Sequence, residues 1–92
     1  METFFSFLAK RVDDCSSMLC VGLDPDPRLL PPHLGVSAAA VHDFLVAIIR
    51  ATRDRVAAFK SNTAFFEAYG PDGVAILEAL REQIGPDVLY IV

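Results

Sequence analysis

The stretch Val56-Ala57-Ala58-Phe59-Lys60 decides how this chain is read. An uninterrupted apolar run that ends abruptly in a charge has the character of a buried β-strand, set within residues 55 to 60, whose end meets a ligand or a partner. A second run, Met18-Leu19-Cys20-Val21-Gly22-Leu23, has the same character and ends in Asp24. Between the two lies a segment with helical periodicity. In parallel α/β architectures the carboxyl ends of the strands are where ligands bind. Asp24 and Lys60 therefore mark a candidate polar site.

Outward from these strands the pattern alternates. Residues 2 to 14 carry Phe4 or Phe5, Leu8 and Val12 at helical spacing, with Glu2 suited to the positive end of the helix dipole. Pro25, Pro27, Pro31 and Pro32 rule out regular helix or sheet over 24 to 36, so an ordered loop is expected, with Leu29 and Leu30 buried. Ser37 is a natural N-cap for a helix whose apolar face is Val41, Phe44, Leu45, Ile48 and Ile49. Beyond Lys60, Asn62 caps a short helical segment holding Phe65 and Phe66, which read as core or dimer-interface aromatics. Gly70-Pro71 opens another helix with Val74, Leu77, Leu80 and Ile84 as its stripe, and Gly85-Pro86 closes it. Val88 to Val92 form a third strand. A helix followed by β-α-β-α-β, with apolar strands and amphipathic helices, predicts a parallel sheet in order 1-2-3 with both linking helices on one face.

Bulk composition narrows the function. The chain has 92 residues, 53% hydrophobic, with net charge −4 and a pI near 4.9. An acidic balance argues against non-specific nucleic-acid binding, which needs a basic surface. No apolar stretch reaches the roughly 20 residues of a membrane span, and no basic flank precedes the early phenylalanines, so a cytoplasmic protein is expected. Cys15 and Cys20 lack a second Cys or His pair, which argues against zinc, and Cys20 is expected to be a free thiol in the core. His33 and His42 stand too far apart from other ligands to suggest a base or a metal site, and Glu67 reads as part of a solvated face.

The two strand ends together carry a resemblance. Leu19-Cys20-Val21-Gly22-Leu23-Asp24-Pro25-Asp26, followed by Ala58-Phe59-Lys60-Ser61-Asn62-Thr63-Ala64-Phe65-Phe66-Glu67-Ala68-Tyr69-Gly70, closely resembles the orotidine 5′-phosphate decarboxylases, in the branch with a long proline-rich loop after the first strand. It covers essentially the whole chain, residues 1–92, as the N-terminal third of one barrel domain. The resemblance implies a (β/α)8 TIM barrel, a fold of about 250 residues, and usually a homodimer. It implies conversion of orotidine 5′-phosphate to UMP and carbon dioxide without a metal or organic cofactor. Asp24 matches the aspartate that hydrogen-bonds the ribose hydroxyls. Lys60 matches the lysine that contacts ribose and joins an alternating Lys-Asp-Lys-Asp network. Asn62 is a weaker candidate for a substrate contact beside its capping role. Ser61 departs from the proline expected in this branch, and should loosen the turn after Lys60.

The same resemblance puts the rest of the charge network in an Asp-x-Lys-x-x-Asp motif directly after the third strand, just past Val92. The glutamine and arginine that hold the phosphate belong to later strands. The 92 residues alone are therefore expected not to decarboxylate, and to be marginal or self-associating through an exposed edge. The alternative is a non-catalytic α/β remnant that oligomerises or binds nucleotide weakly. The metal-using decarboxylases and aldolases on the same barrel are disfavoured by the run Phe59-Lys60-Ser61-Asn62-Thr63-Ala64-Phe65-Phe66-Glu67.

Overall fold

A computed structural model describes residues 2–92. Helix α1 spans Phe4–Cys15, strand β1 Cys20–Gly22, α2 Ala38–Thr52, β2 Ala58–Lys60, α3 Thr63–Glu67, α4 Pro71–Ile84 and β3 Leu89–Ile91. The three strands are parallel, in order β1-β2-β3. Cys20, Val21 and Gly22 lie opposite Ala58, Phe59 and Lys60, which lie opposite Leu89, Tyr90 and Ile91. The α/β alternation and the strand order match the expectation, and α2 and α4 pack together on the same face of the sheet.

The local signals explain most boundaries. Ser37 accepts a hydrogen bond from the Ala40 N–H at 3.1 Å and starts α2. Pro71 occupies the first turn of α4, and Gly85, at φ 79°, ends it by donating its N–H to Arg81 O. A capping box opens α1: Thr3 Oγ1 accepts from the Ser6 N–H, and Ser6 Oγ accepts from the Thr3 N–H.

The core lies between the sheet and the two long helices. Leu23, Val41, Leu45, Ile49, Val56, Phe59, Phe66, Leu80 and Ile84 are almost fully buried there. Phe66 belongs to this core, and Phe65 packs against its border. The α2 stripe holds as read, with Val46 added. The α4 stripe holds at Leu80 and Ile84 and is displaced by one position in its first half, where Gly73 and Ile76 are buried, Leu77 flanks them and Val74 is exposed. Gly73 is the reason. A Cβ there would stand 1.7 Å from Phe66 O, so the helix approaches the end of α3 through its one residue without a side chain.

Several expectations of burial are corrected. Leu30 is buried, but Leu29 is 82% exposed, because consecutive residues in the turn point in opposite directions. Cys20 is exposed rather than in the core, and Met18 and Leu19 are exposed with it at the start of β1, an edge strand of the described sheet. Residues 53–55 form a 3-10 turn, so β2 is shorter than 55–60, although Val56 through Phe59 are all buried. Helix α1 buries none of its residues. It is held at the amino ends of the strands by Arg11, whose Nε donates to Val56 O at 3.0 Å and whose Nη2 donates to Arg53 O at 2.8 Å. Arg53 in turn donates to Ile84 O at 2.6 Å, which ties the same end of the sheet to the last turn of α4.

Candidate functional site

Side chains of a strand alternate between the two faces of its sheet. Val21, Phe59 and Tyr90 share one level and face the helices; Phe59 is fully buried, and the other two pack against the core. Cys20, Ala58 and Leu89, and then Gly22, Lys60 and Ile91, share the opposite face. Lys60 therefore stands on the helix-free face, at the carboxyl end of the central strand, and it is exposed. This corrects the reading of a buried charge: the apolar run of β2 is buried through Phe59 and ends there. Among the described residues the Lys60 ammonium has no ion-pair partner.

Asp24 and Asn62 come together at the same rim. Asp24 is exposed, and its Oδ1 accepts a 2.7 Å hydrogen bond from the Asn62 backbone N–H. Asn62 Oδ1 accepts from the Ala64 N–H at 3.1 Å and caps α3. The Asn62 side chain is thus engaged as a cap, while Asp24 Oδ2 is left at the surface. A Cβ on Gly22 would lie 3.8 Å from that oxygen, so neither Gly22 nor the strand crowds it. The ladder continues past the strands: Leu23 N–H donates to Lys60 O at 2.8 Å, and Ser61 N–H donates to Ile91 O at 2.9 Å. The structure places Asp24, Lys60 and Asn62 on one rim of adjacent strands.

Ser61 is a buried residue directly after β2. It is 2% exposed, and its hydroxyl lies 3.3 Å from Leu23 O and 2.7 Å from the Tyr90 hydroxyl. Burial pushes the Tyr90 phenol above its ordinary value, against the opposing effects of the Ser61 hydrogen bond and the Arg81 guanidinium, which lies 5.2 Å from its ring centroid. Strand alternation contains the signal for Ser61, which is two residues past the buried Phe59 and so faces the same way.

Asp26 forms a local ion pair with Arg28. It is buried at 8% exposure and accepts from Arg28 at 3.1 Å to Oδ1 and 2.8 Å to Oδ2, and the Arg28 N–H donates to Oδ1 at 3.0 Å. The hydrogen-bonded guanidinium holds the Asp26 carboxyl below the usual carboxylate value. Tyr69 Oη donates to Val36 O at 3.0 Å, which fastens the end of the proline-rich segment to the residues after α3.

Three concavities are lined by residues other than Asp24, Lys60 and Asn62. The one lined by Glu2, Phe7, Lys10, Arg11, Asp14 and Asp87 sits under α1, at the opposite end of the strands. Among the described residues no group of three or more His, Cys, Asp or Glu side chains is arranged to hold a metal. His42 pairs with its neighbour Asp43 at 2.9 Å, and Glu67 is exposed. No helix among the described residues is long and apolar enough to cross a membrane.

No family model matches the chain. Individual proteins do. An orotidine 5′-phosphate decarboxylase of Roseiflexus sp. (strain RS-1) is 50% identical over 74 residues, covering 79% of this chain and 27% of that protein. One of Polaromonas naphthalenivorans is 40% identical over 90 residues, covering 97% of this chain and 32% of that protein. A crystal structure from Toxoplasma gondii, assigned as an orotidine-monophosphate decarboxylase, superposes with a TM-score of 0.85 at 39% identity, over 96% of this chain and 30% of that one. The chain thus spans under a third of the length of these relatives, and its parallel β-α-β-α-β layer is the corresponding segment of their TIM barrel. By sequence and by fold, this chain belongs to the orotidine 5′-phosphate decarboxylase family.

Proposed function

We propose that these residues form the first three strands of a single decarboxylase barrel domain that converts orotidine 5′-phosphate to UMP and carbon dioxide. The observation that carries this reading is the joint placement of Asp24 and Lys60 on one open rim of adjacent parallel strands, in a chain 50% identical to a decarboxylase of that name. Asp24 uses Oδ1 to brace Asn62 and has Oδ2 free to accept from a ribose hydroxyl. Lys60 has its ammonium free to donate to ribose and to hold neighbouring carboxylates in register. Asn62 shapes the rim by capping α3, and any contact of its own with substrate is secondary.

The chemistry requires little of these two residues beyond placement. Loss of carbon dioxide leaves an electron pair on a ring carbon. An ammonium beside that carbon stabilises the charge and then donates the proton that completes UMP. In this reading the donor is a lysine supplied after β3, and Lys60 orders the carboxylates around it. No metal or organic cofactor takes part. The complete protein works in the cytoplasm as a homodimer, and the acidic surface of this segment suits a small-molecule enzyme rather than a nucleic-acid binder.

The test follows the loss of orotidine 5′-phosphate absorbance with a protein carrying these residues in a complete barrel, beside the 92-residue chain. Turnover is expected from the first, resistant to chelator and abolished or strongly reduced by Lys60→Ala, and none from the second. A complete barrel without turnover, or turnover by the short chain that disappears in Lys60→Ala, overturns the assignment of roles.

A further inference from the structure

We propose that Ser61 is a positioning residue, whose hydroxyl fixes the spacing between Asp24 and Lys60. The inference rests on the decarboxylase reading for its kinetic consequence, and on the geometry of the three strand ends for its structural one. Lys60 and Asn62, the residues on either side of Ser61, belong to the open rim, while Ser61 itself points the other way, into the helix-covered side.

Ser61 contacts the end of every strand. Its N–H donates to Ile91 O of β3 at 2.9 Å. Its hydroxyl reaches Leu23 O, the carbonyl of the peptide that leads into Asp24, at 3.3 Å. It also meets the Tyr90 hydroxyl at 2.7 Å. A carbonyl can only accept, and a serine hydroxyl has one proton. That proton goes to Leu23 O, so the Tyr90 hydroxyl must be the donor to Ser61 Oγ. The order Tyr90 O–H to Ser61 O–H to Leu23 O is therefore set by valence. Together with the Leu23 N–H bond to Lys60 O at 2.8 Å, it clamps the peptides that carry Asp24 and Lys60 from the buried side.

Clamping of this kind affects rate more than binding, because misplacement of about 1 Å can cost two orders of magnitude in turnover. In the complete protein, Ser61→Ala is expected to lower kcat about tenfold while KM moves less than about threefold. Ser61→Thr, which keeps the hydroxyl, is expected to restore most of that loss. Tyr90→Phe, which leaves Ser61 bound to Leu23 O, is expected to cost less than about threefold. Ile84→Val, a core change on α4 remote from the rim, lowers thermal stability without lowering kcat.

A second readout does not depend on activity. In Ser61→Ala the Asn62 amide, bonded to Asp24, should shift its resonance and exchange with solvent about tenfold faster. An unchanged Asn62 amide overturns the inference whatever the kinetics show. So does wild-type kcat in Ser61→Ala, or an equal loss in Ile84→Val. If the complete protein has no decarboxylase activity but the amide responds as stated, the positioning role stands and the functional reading fails.

Discussion

The Asp24 carboxylate and the Asn62 backbone N–H meet at 2.7 Å, across the gap between the ends of β1 and β2. One oxygen of the residue proposed to recognise ribose is thus engaged by the backbone, and the other makes no hydrogen bond among the described residues. An anion accepting from a backbone amide makes a shorter and stronger bond than a neutral acceptor does. Asp24 and Lys60 consequently differ in kind: the first is built into the rim, and the second projects from it without an ion-pair partner among the described residues.

Substitution should separate the two. Asp24→Ala removes the Asn62 bond and is expected to destabilise the fold by about 1 kcal/mol. In a complete barrel it should weaken both substrate binding and turnover. Lys60→Ala should leave stability within about 0.5 kcal/mol, as exposed substitutions without partners usually do, and should mainly lower turnover. Urea unfolding and steady-state kinetics on the same two variants check this. Equal stability losses would contradict it.

Gly73→Ala should be among the most damaging single changes available. The added carbon would fall 1.7 Å from Phe66 O, and backbone cannot move aside as the tip of a side chain can. The contact between α3 and α4 would have to open, at an expected cost of at least about 2 kcal/mol. The denaturation midpoint of Gly73→Ala, set beside that of the exposed Val74→Ala, measures the effect.

Arg11 is the principal polar tether of a helix that buries none of its residues. Arg11→Ala should release α1 from the Arg53 and Val56 carbonyls while the sheet and the α2–α4 core persist. Amide exchange is expected to rise throughout residues 4–15 and to change little in β2. A uniform rise across the chain would show instead that α1 is part of the global folding unit.

The Asp26–Arg28 pair predicts an acid-side dependence. Hydrogen bonding to Arg28 lowers the folded Asp26 pKa, so the stability it contributes is present above the unfolded value of about 3.9 and is lost as pH falls through the folded value. Arg28 is raised by the same contact, and that is one interaction, not two. The Arg28 side chain is 87% exposed, so the effect is modest and weakens with salt. Arg28→Ala should flatten the fall in unfolding midpoint as the pH drops below the unfolded carboxylate value of about 3.9. An unchanged slope would remove the pair from the account.

Much of this protein is legible in its sequence. Ser37, Gly70-Pro71 and Gly85-Pro86 mark helix ends through local backbone chemistry, which acts within a few residues and so leaves its trace in the sequence. Continuous apolar runs separated by amphipathic helices specify parallel strands by the same kind of short-range rule. Asp24 and Lys60 could be named because each directly follows such a run. What the linear order did not reveal depends on which atoms approach across long separations. Leu23, Ser61 and Tyr90 lie far apart in sequence, and only parallel pairing in register brings their polar atoms together. The burial of Cys20 and Lys60 was misjudged for the same reason. Whether a strand residue is covered depends on which of its two faces the helices occupy, and that is a property of the assembled layers rather than of the strand.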